Sequence, residues 1–444
     1  METTMEGLVK KINDGSVVIG IIGLGYVGLP LALAFAKKFS VYGYDINQMM
    51  IADLQAGRSH IHDVPDYKLA EHAGKTIFFT NNPVDLEKCD FIIICVPTPL
   101  SQDRYPDLSF IKSACMTIAR ILRNTQFIIL ESTTYPGTTD EVVVPILEES
   151  GLRAGRDFGV AYSPERIDPG NKNFTVEQIP KVVGGIDETC TAIAAALYGS
   201  VIERVVCVCD TRTAESVKMV ENIFRNVNIA LVNELALIFE RMGINTWEVI
   251  DAAASKPYGF MPFYPGPGIG GHCIPLDPYY MSYKAKKYGL IPRFIETSGE
   301  INEFMKMHTI NLAERGLKQV GKRIYRARIA VMGLAYKKNI NDPRESPAIE
   351  IIEELVRLGA DVRVYDPFVP SVETRTGVFT SVTDCHRALA GADCAIFLVD
   401  HDLFREIPPG LFAEVMASPV VVDGKNLFAG GEGMVYLGIG KGKI

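Results

Sequence analysis

Residues 17–45 carry two hydrophobic patterns in succession. A β-branched run, VVIGIIG, opens into LGYVG. Apolar residues then recur at helical spacing through LPLALAFAKKF, and a second short run, VYGYD, ends on an acid. A short continuous apolar run fits a buried strand, and recurrence at i, i+3 and i+4 fits a helix. The order is therefore strand, glycine turn, helix, strand. Further apolar runs at βαβ spacing predict more strands: DFIIICVPTP (90–99), QFIILEST (126–133) and DFGVAYSPER (157–166). After Asp210 the pattern changes. TAESVKMVENIFRNVNIALVNELALIFERMGI has no glycine or proline before Gly243 and predicts one long helix. Near residue 320 the first pattern returns. RIAVMGLAYKKNINDPRESPAIEIIEELVRLGADVRVYDP again reads as strand, glycine-containing turn, helix, strand and aspartate, and ADCAIFLVDH (392–401) and PVVVDGKN (419–426) add strands.

The first turn holds Gly23, Gly25 and Gly28 at G-x-G-x-x-G spacing, with Tyr26 and Val27 between them, and Asp45 stands about twenty residues on. Glycines there permit the turn, let the backbone approach a pyrophosphate and allow the helix to pack closely on the strand. The helix start offers its unpaired amides to the anion. An acid at Asp45 suits a ribose diol and repels a 2′-phosphate, so NAD is expected rather than NADP. In open parallel sheets ligands sit at the carboxyl ends of strands, which puts Val96, Pro97, Thr98, Thr133, Glu165 and Arg166 on one crevice. The second half lacks the full glycine fingerprint and suits another nucleotide-like ligand. The chain thus reads as α/β: two Rossmann-like, doubly wound parallel-sheet domains (1–209 and 316–444) joined by a central long-helix region (210–315).

A length of 444 residues accommodates about three domains. The formal net charge of −8 argues against nucleic acid as a partner, which requires a basic footprint. No apolar run reaches the ~18–20 residues of a membrane span, and METTMEGLVKKINDG has no signal-peptide apolar region, so a cytoplasmic protein is expected. The cysteine count is nine, and most of them sit in apolar runs, as buried reduced thiols do. Cys207 and Cys209 form C-x-C, but no second pair stands at zinc-ligand spacing, and no metal is expected.

Cys273 differs. It lies in PGPGIGGHCIPLDP (265–278), which holds four glycines and four prolines and fits neither a strand nor a helix core. A metal ligand, half a disulfide and a nucleophile are the competing readings. The nucleophile fits an NAD domain well. A thiolate adding to an aldehyde gives a thiohemiacetal, a second hydride transfer gives a thioester, and water releases a carboxylate. Lys218 and Asn222 stand at i and i+4, on one face of the long helix.

These features together resemble the UDP-glucose/GDP-mannose dehydrogenase family over almost the whole chain. The resemblance is carried by GLGYVGLP, VPTP, EST, SPER, AESVKMVENIFR, GPGIGGHCIPLDP and GLAYKKNINDPRESPA. It implies NAD-dependent, four-electron oxidation of a nucleotide sugar at its 6-hydroxymethyl group. It also implies an N-terminal NAD domain, a homodimer formed through the central helix and a C-terminal UDP-binding domain. By the same resemblance Cys273 is the nucleophile, Lys218 and Asn222 stabilise oxygen charge, Asp277 positions Lys218 or a water, Glu165 serves thioester hydrolysis and Thr133 holds a water. Phe263, Tyr264, Gly270, His272, Lys337 and Arg166 fall to the substrate and Arg344 to the cofactor. Plain UDP-glucose enzymes of this family resemble GGSCFPKD and NPEFLREG where this chain has GGHCIPLD and SPERIDPGN. The pattern here is similar to the enzymes for N-acetylated sugars, UDP-N-acetylglucosamine ahead of UDP-N-acetylmannosamine and UDP-N-acetylgalactosamine. A two-electron hydroxyacid dehydrogenase and a non-catalytic nucleotide-binding protein are the alternatives from other classes.

Overall fold

The computed structural model describes residues 5–61, 64–101, 105–166, 174–271 and 274–442. They fall into two compact units, residues 1–221 with 279–290, and residues 222–278 with 291–444. Each is described by itself.

The first unit is built on an eight-stranded sheet: β1 (Val18–Ile22), β2 (Ser40–Tyr44), β3 (Ile77–Thr80), β4 (Phe91–Ile94), β5 (Phe127–Leu130), β6 (Gly159–Tyr162), β7 (Lys181–Gly185) and β8 (Val205–Cys207). The strand order is 3-2-1-4-5-6-7-8, so its first six strands follow the doubly wound dinucleotide-binding order. β1 pairs in parallel with β2 and β4, from Ile19↔Val41 and Ile19↔Phe91 onward. Strands β1, β4 and β5 are buried almost throughout, which explains their continuous apolar runs. Helix α1 (Gly28–Ala36) packs Leu29, Leu31, Ala32 and Phe35 into this core. The observed strands are shorter than the apolar runs that announce them. β4, β5 and β6 stop at Ile94, Leu130 and Tyr162. The motif residues that follow belong to the loops at their carboxyl ends. β7 runs antiparallel to β6, a reversal for which the sequence pattern carries no signal.

The second unit holds a parallel sheet of β9 (Arg328–Met332), β10 (Asp361–Tyr365), β13 (Cys394–Phe397), β14 (Val420–Asp423) and β15 (Val435–Gly438), in the order 10-9-13-14-15, and a small hairpin, β11 (Ser371–Thr374) with β12 (Gly377–Thr380). Alternate residues feed opposite faces. Ile329, Val331, Ile396 and Val422 enter one buried cluster, and Ala330, Met332, Phe397 and Val421 the other. Two helices carry the rest of the argument. α2 (Thr211–Met242) runs 32 residues without interruption, and its residues up to Glu221 belong to the first unit. α3 (Arg293–Gln319) belongs to the second unit and packs on β14 and β15.

Candidate active site

The glycine turn of the first unit is shaped for a dinucleotide. A Cβ on Gly28 would stand 1.9 Å from the Gly23 carbonyl oxygen, so only glycine lets α1 start against the turn. Among the described residues, a Cβ on Gly25 would meet no atom within 4 Å. Packing within the chain therefore gives no reason for glycine at Gly25, whereas close approach of a pyrophosphate does. Gly23 N donates to Tyr44 O at 2.9 Å. The Asp45 carboxylate accepts from Leu24 N at 3.1 Å and from Asn47 N at 2.9 Å, which fixes it beside the turn at the end of β2. Tyr26, Val27, Val96, Thr98 and Thr133 are half-buried and Pro97 is exposed, all in loops at strand carboxyl ends or at the start of α1. Ser132 Oγ donates to Val96 O at 2.7 Å and ties the β4 and β5 loops together. Tyr280 Oη donates to Thr98 O at 2.6 Å. These residues fit NAD.

Also in the first unit, Lys218 on α2 meets Glu165 in the loop after β6. Lys218 Nζ donates to Glu165 O at 2.6 Å and to a carboxylate oxygen at 3.0 Å. Both residues are buried, 4% and 6% exposed, so the pair is desolvated and its geometry is held. Arg166 is aimed at Glu221, one turn along α2, at 2.6 Å, and donates to Pro180 O at 2.5 Å. One turn before Lys218, buried Glu215 accepts from Thr139 N at 2.8 Å, from Thr139 Oγ1 at 2.7 Å and from Gly137 N at 2.5 Å. It anchors the segment that follows Thr133. Burial pushes its carboxyl up to about 7, against those hydrogen bonds.

In the second unit the same helix reads the glycine-rich loop. Asn222 Nδ2 donates to Asp277, Asn226 Nδ2 donates to Ile274 O at 3.0 Å, and Gly266 N donates to Asn233 Oδ1 at 3.0 Å. Three asparagines at spacings of four and seven thus fasten the flanks of PGPGIGGHCIPLDP to one helix face. Asn226 and Asn233 were missed in the sequence, although their spacing from Asn222 was the available signal. Cys273 and His272 lie outside the described residues. The glycines before them have a packing role. A Cβ on Gly270 would stand 2.8 Å from Tyr336 Cβ and 2.9 Å from Glu345 O, and one on Gly271 would stand 2.9 Å from the Tyr336 ring. Phe263 packs edge-on against Phe224, ring centroids 5.7 Å apart. Tyr264 stacks on Trp247 at 5.2 Å and donates to Asp251 at 2.7 Å. Arg344 forks onto Asp342 at 2.8 and 2.6 Å. Lys337 is half-buried in the same loop. Lys425, in the loop after β14, was also missed: a Cβ on Gly266 would lie 3.0 Å from its Nζ. Burial lowers its pKa, with Asp400 opposing.

The strand order of the first unit and a glycine turn shaped for NAD define a dinucleotide-binding domain. Comparison with known proteins places it more closely. Residues 17–202 match the NAD-binding domain of the UDP-glucose/GDP-mannose dehydrogenase family, residues 212–304 its central domain and residues 330–430 its UDP-binding domain. The chain belongs to that family of nucleotide-sugar dehydrogenases. It is 39% identical to a UDP-N-acetyl-D-glucosamine 6-dehydrogenase of Pseudomonas aeruginosa, over 88% of this chain and 92% of that protein. An NDP-N-acetyl-D-galactosaminuronic acid dehydrogenase of Ralstonia solanacearum is 34% identical, over 93% and 96%. The solved structure of a UDP-D-ManNAc dehydrogenase from Pyrococcus horikoshii superposes with a TM-score of 0.90 at 35% identity, covering 96% of this chain and all of that one. No described helix is long and apolar enough to cross a membrane.

Proposed function

We propose that this protein oxidises the 6-hydroxymethyl group of a UDP-N-acetylhexosamine to the carboxylate, with UDP-N-acetylglucosamine the preferred sugar. The observation that carries this reading is the α2 face. It offers a buried, carboxylate-paired Lys218, then Asn222, Asn226 and Asn233 fastened to the flanks of the Cys273 loop. NAD, held by the Gly23–Gly28 turn and Asp45, supplies the hydride acceptor. Lys218 and Asn222 present N–H donors to the oxygen that gains charge as the alcohol and the aldehyde adduct react, a preorganised arrangement that costs no reorientation at the moment of reaction. The Cys273 thiolate adds to the aldehyde carbon. The adduct becomes a thioester on the second oxidation, and water displaces the thiolate. Glu165 takes the proton of that water and the Thr133 hydroxyl orients it, while Asp277, through Asn222, fixes the amide. Lys337 and Lys425 are assigned to the diphosphate.

The choice of sugar rests on His272, Pro275 and Leu276 and on the relatives, whose names divide among glucosamine, mannosamine and galactosaminuronic substrates. Purified protein incubated with UDP-N-acetylglucosamine, UDP-N-acetylmannosamine, UDP-N-acetylgalactosamine and UDP-glucose is expected to turn over the first fastest and to release two NADH per sugar. Turnover with UDP-N-acetylmannosamine alone would sink the sugar assignment, and one NADH per sugar would sink the four-electron scheme.

The homodimer is assigned to α2. Phe224, Leu231 and Ile238 stand seven residues apart, and each is between 44% and 50% exposed. An apolar stripe of that period on a long helix suits a second helix. Leu231→Glu is expected to shift the sedimentation mass from dimer to monomer. An unchanged mass would remove the assignment.

A further inference from the structure

The two glycine turns share a backbone design but use their acids differently. In the first unit Gly23 N donates to Tyr44 O at 2.9 Å and Leu24 N to Asp45 at 3.1 Å. In the second, Gly333 N donates to Tyr365 O at 2.8 Å and Leu334 N to Asp366 at 2.6 Å. Asp45 is half-buried, as a ribose acceptor must be. The Asp366 side chain is fully buried. It accepts from Leu334 N, Ala335 N, Phe368 N, Val369 N and His401 Nε2, the last at 3.0 Å. Five donors saturate a carboxylate, so Asp366 is committed within the protein.

Its one side-chain partner in that set, His401, leads to the loop that carries Lys337. His401 is also fully buried, between the rings of Phe368 and Phe404 at 5.2 Å each. Its Nδ1 accepts from Asn339 N at 2.9 Å. With Nδ1 accepting and Nε2 donating, the ring is the neutral Nε2–H tautomer. Asn339 has φ +59, a left-handed conformation that asparagine takes up more readily than other non-glycine residues. A second tether completes the hold: Asn339 Nδ2 donates to Asp402 at 2.5 Å, and Asp402 N donates back at 3.1 Å. Lys338 reaches Asp402 at 3.6 Å. Within the loop, Tyr336 N donates to Asp342 O at 3.0 Å. Gly270 and Gly271, just ahead of the cysteine, rest against Tyr336.

We propose that His401 is a positioning residue: the Asp366–His401–Asn339 chain of hydrogen bonds fixes the 336–345 loop, and with it Lys337, in the conformation that receives the UDP moiety. This rests on the UDP-sugar reading above. It gives the second glycine turn a task for its acid in a domain that carries no full glycine fingerprint.

The test uses the full-length protein, UDP as the titrant in calorimetry and the NADH assay alongside. His401→Leu is expected to weaken UDP binding about tenfold and to raise KM for the sugar nucleotide similarly, with NAD affinity unchanged. His401→Gln supplies an amide donor and acceptor in place of the ring, and is expected to recover UDP binding to within about threefold of wild type. Asp402→Ala, on an exposed side chain, loosens the same loop and should weaken UDP binding in the same direction by less. The proposal is overturned if His401→Leu lowers the melting temperature yet binds UDP like wild type, or if His401→Gln fails as badly as His401→Leu while Asp402→Ala is silent. A wild type that binds UDP but oxidises no UDP-sugar would sink the substrate reading and leave this one standing. Normal turnover with UDP affinity unmoved in all three variants would sink this one alone.

Discussion

Cys273→Ala is expected to reduce steady NADH production by about 10³-fold or more, the scale on which removal of a covalent nucleophile is felt. In the proposed scheme no thiohemiacetal forms without the thiol, so the aldehyde has no route to the thioester and the second oxidation stops. The fastening of the loop argues that this loss is chemical and not structural. Gly266, Ile274 and Asp277 are bound by Asn233, Asn226 and Asn222, and none of these bonds involves the thiol. NAD binding should therefore be unchanged, as intrinsic fluorescence quenching would report. Turnover within a few-fold of wild type would show that the enzyme works by two-electron chemistry, as hydroxyacid dehydrogenases do, and the four-electron scheme would have to be abandoned.

Lys218→Met carries the second large effect. Met keeps most of the stem and removes the charge. Loss of one preorganised donor at a developing oxyanion costs about 10²–10³-fold in kcat, and KM should move far less, because the interaction strengthens only as charge develops. Stability should fall as well. Lys218 and Glu165 are 5% and 9% exposed as side chains, and removing one partner of a buried pair leaves the other desolvated, at about 3–5 kcal/mol. Lys218→Met combined with Glu165→Gln should regain much of the melting temperature without regaining activity, since the proposed mechanism uses both groups. A single variant with normal kcat and a lowered melting temperature would reduce Lys218 to a structural ion pair.

Much of the first unit was legible because its signals are local. A strand, a glycine turn, a helix and an acid at fixed spacing specify the β1–α1–β2 segment, and the structure places Asp45 against Leu24 N as that spacing requires. The unbroken helical pattern after Asp210 likewise became α2, Thr211–Met242. Other features were hidden. β7 and β8 are short runs, and the pairing of β7 with β6 and of β8 with β7 depends on distant residues. Glu215 looked like one more polar residue on a long helix, and only the fold places its carboxylate at Gly137 N and Thr139 N. His401 sits in LVDH, a sequence with no motif of its own. Its meaning comes from Asp366 and Asn339, 35 and 62 residues away.

The sequence by itself therefore determined the layered α/β architecture, the NAD-binding turn and the family, because each is encoded within a few tens of residues by periodicity, glycine placement or motif order. Only the tertiary structure decided which carboxylate faces Lys218, what holds the cysteine loop, and that the acid of the second glycine turn is spent on a histidine. Those outcomes depend on hydrogen bonds between segments far apart in the chain. A buried polar group must find a partner wherever the fold brings one, and residue spacing alone does not say which.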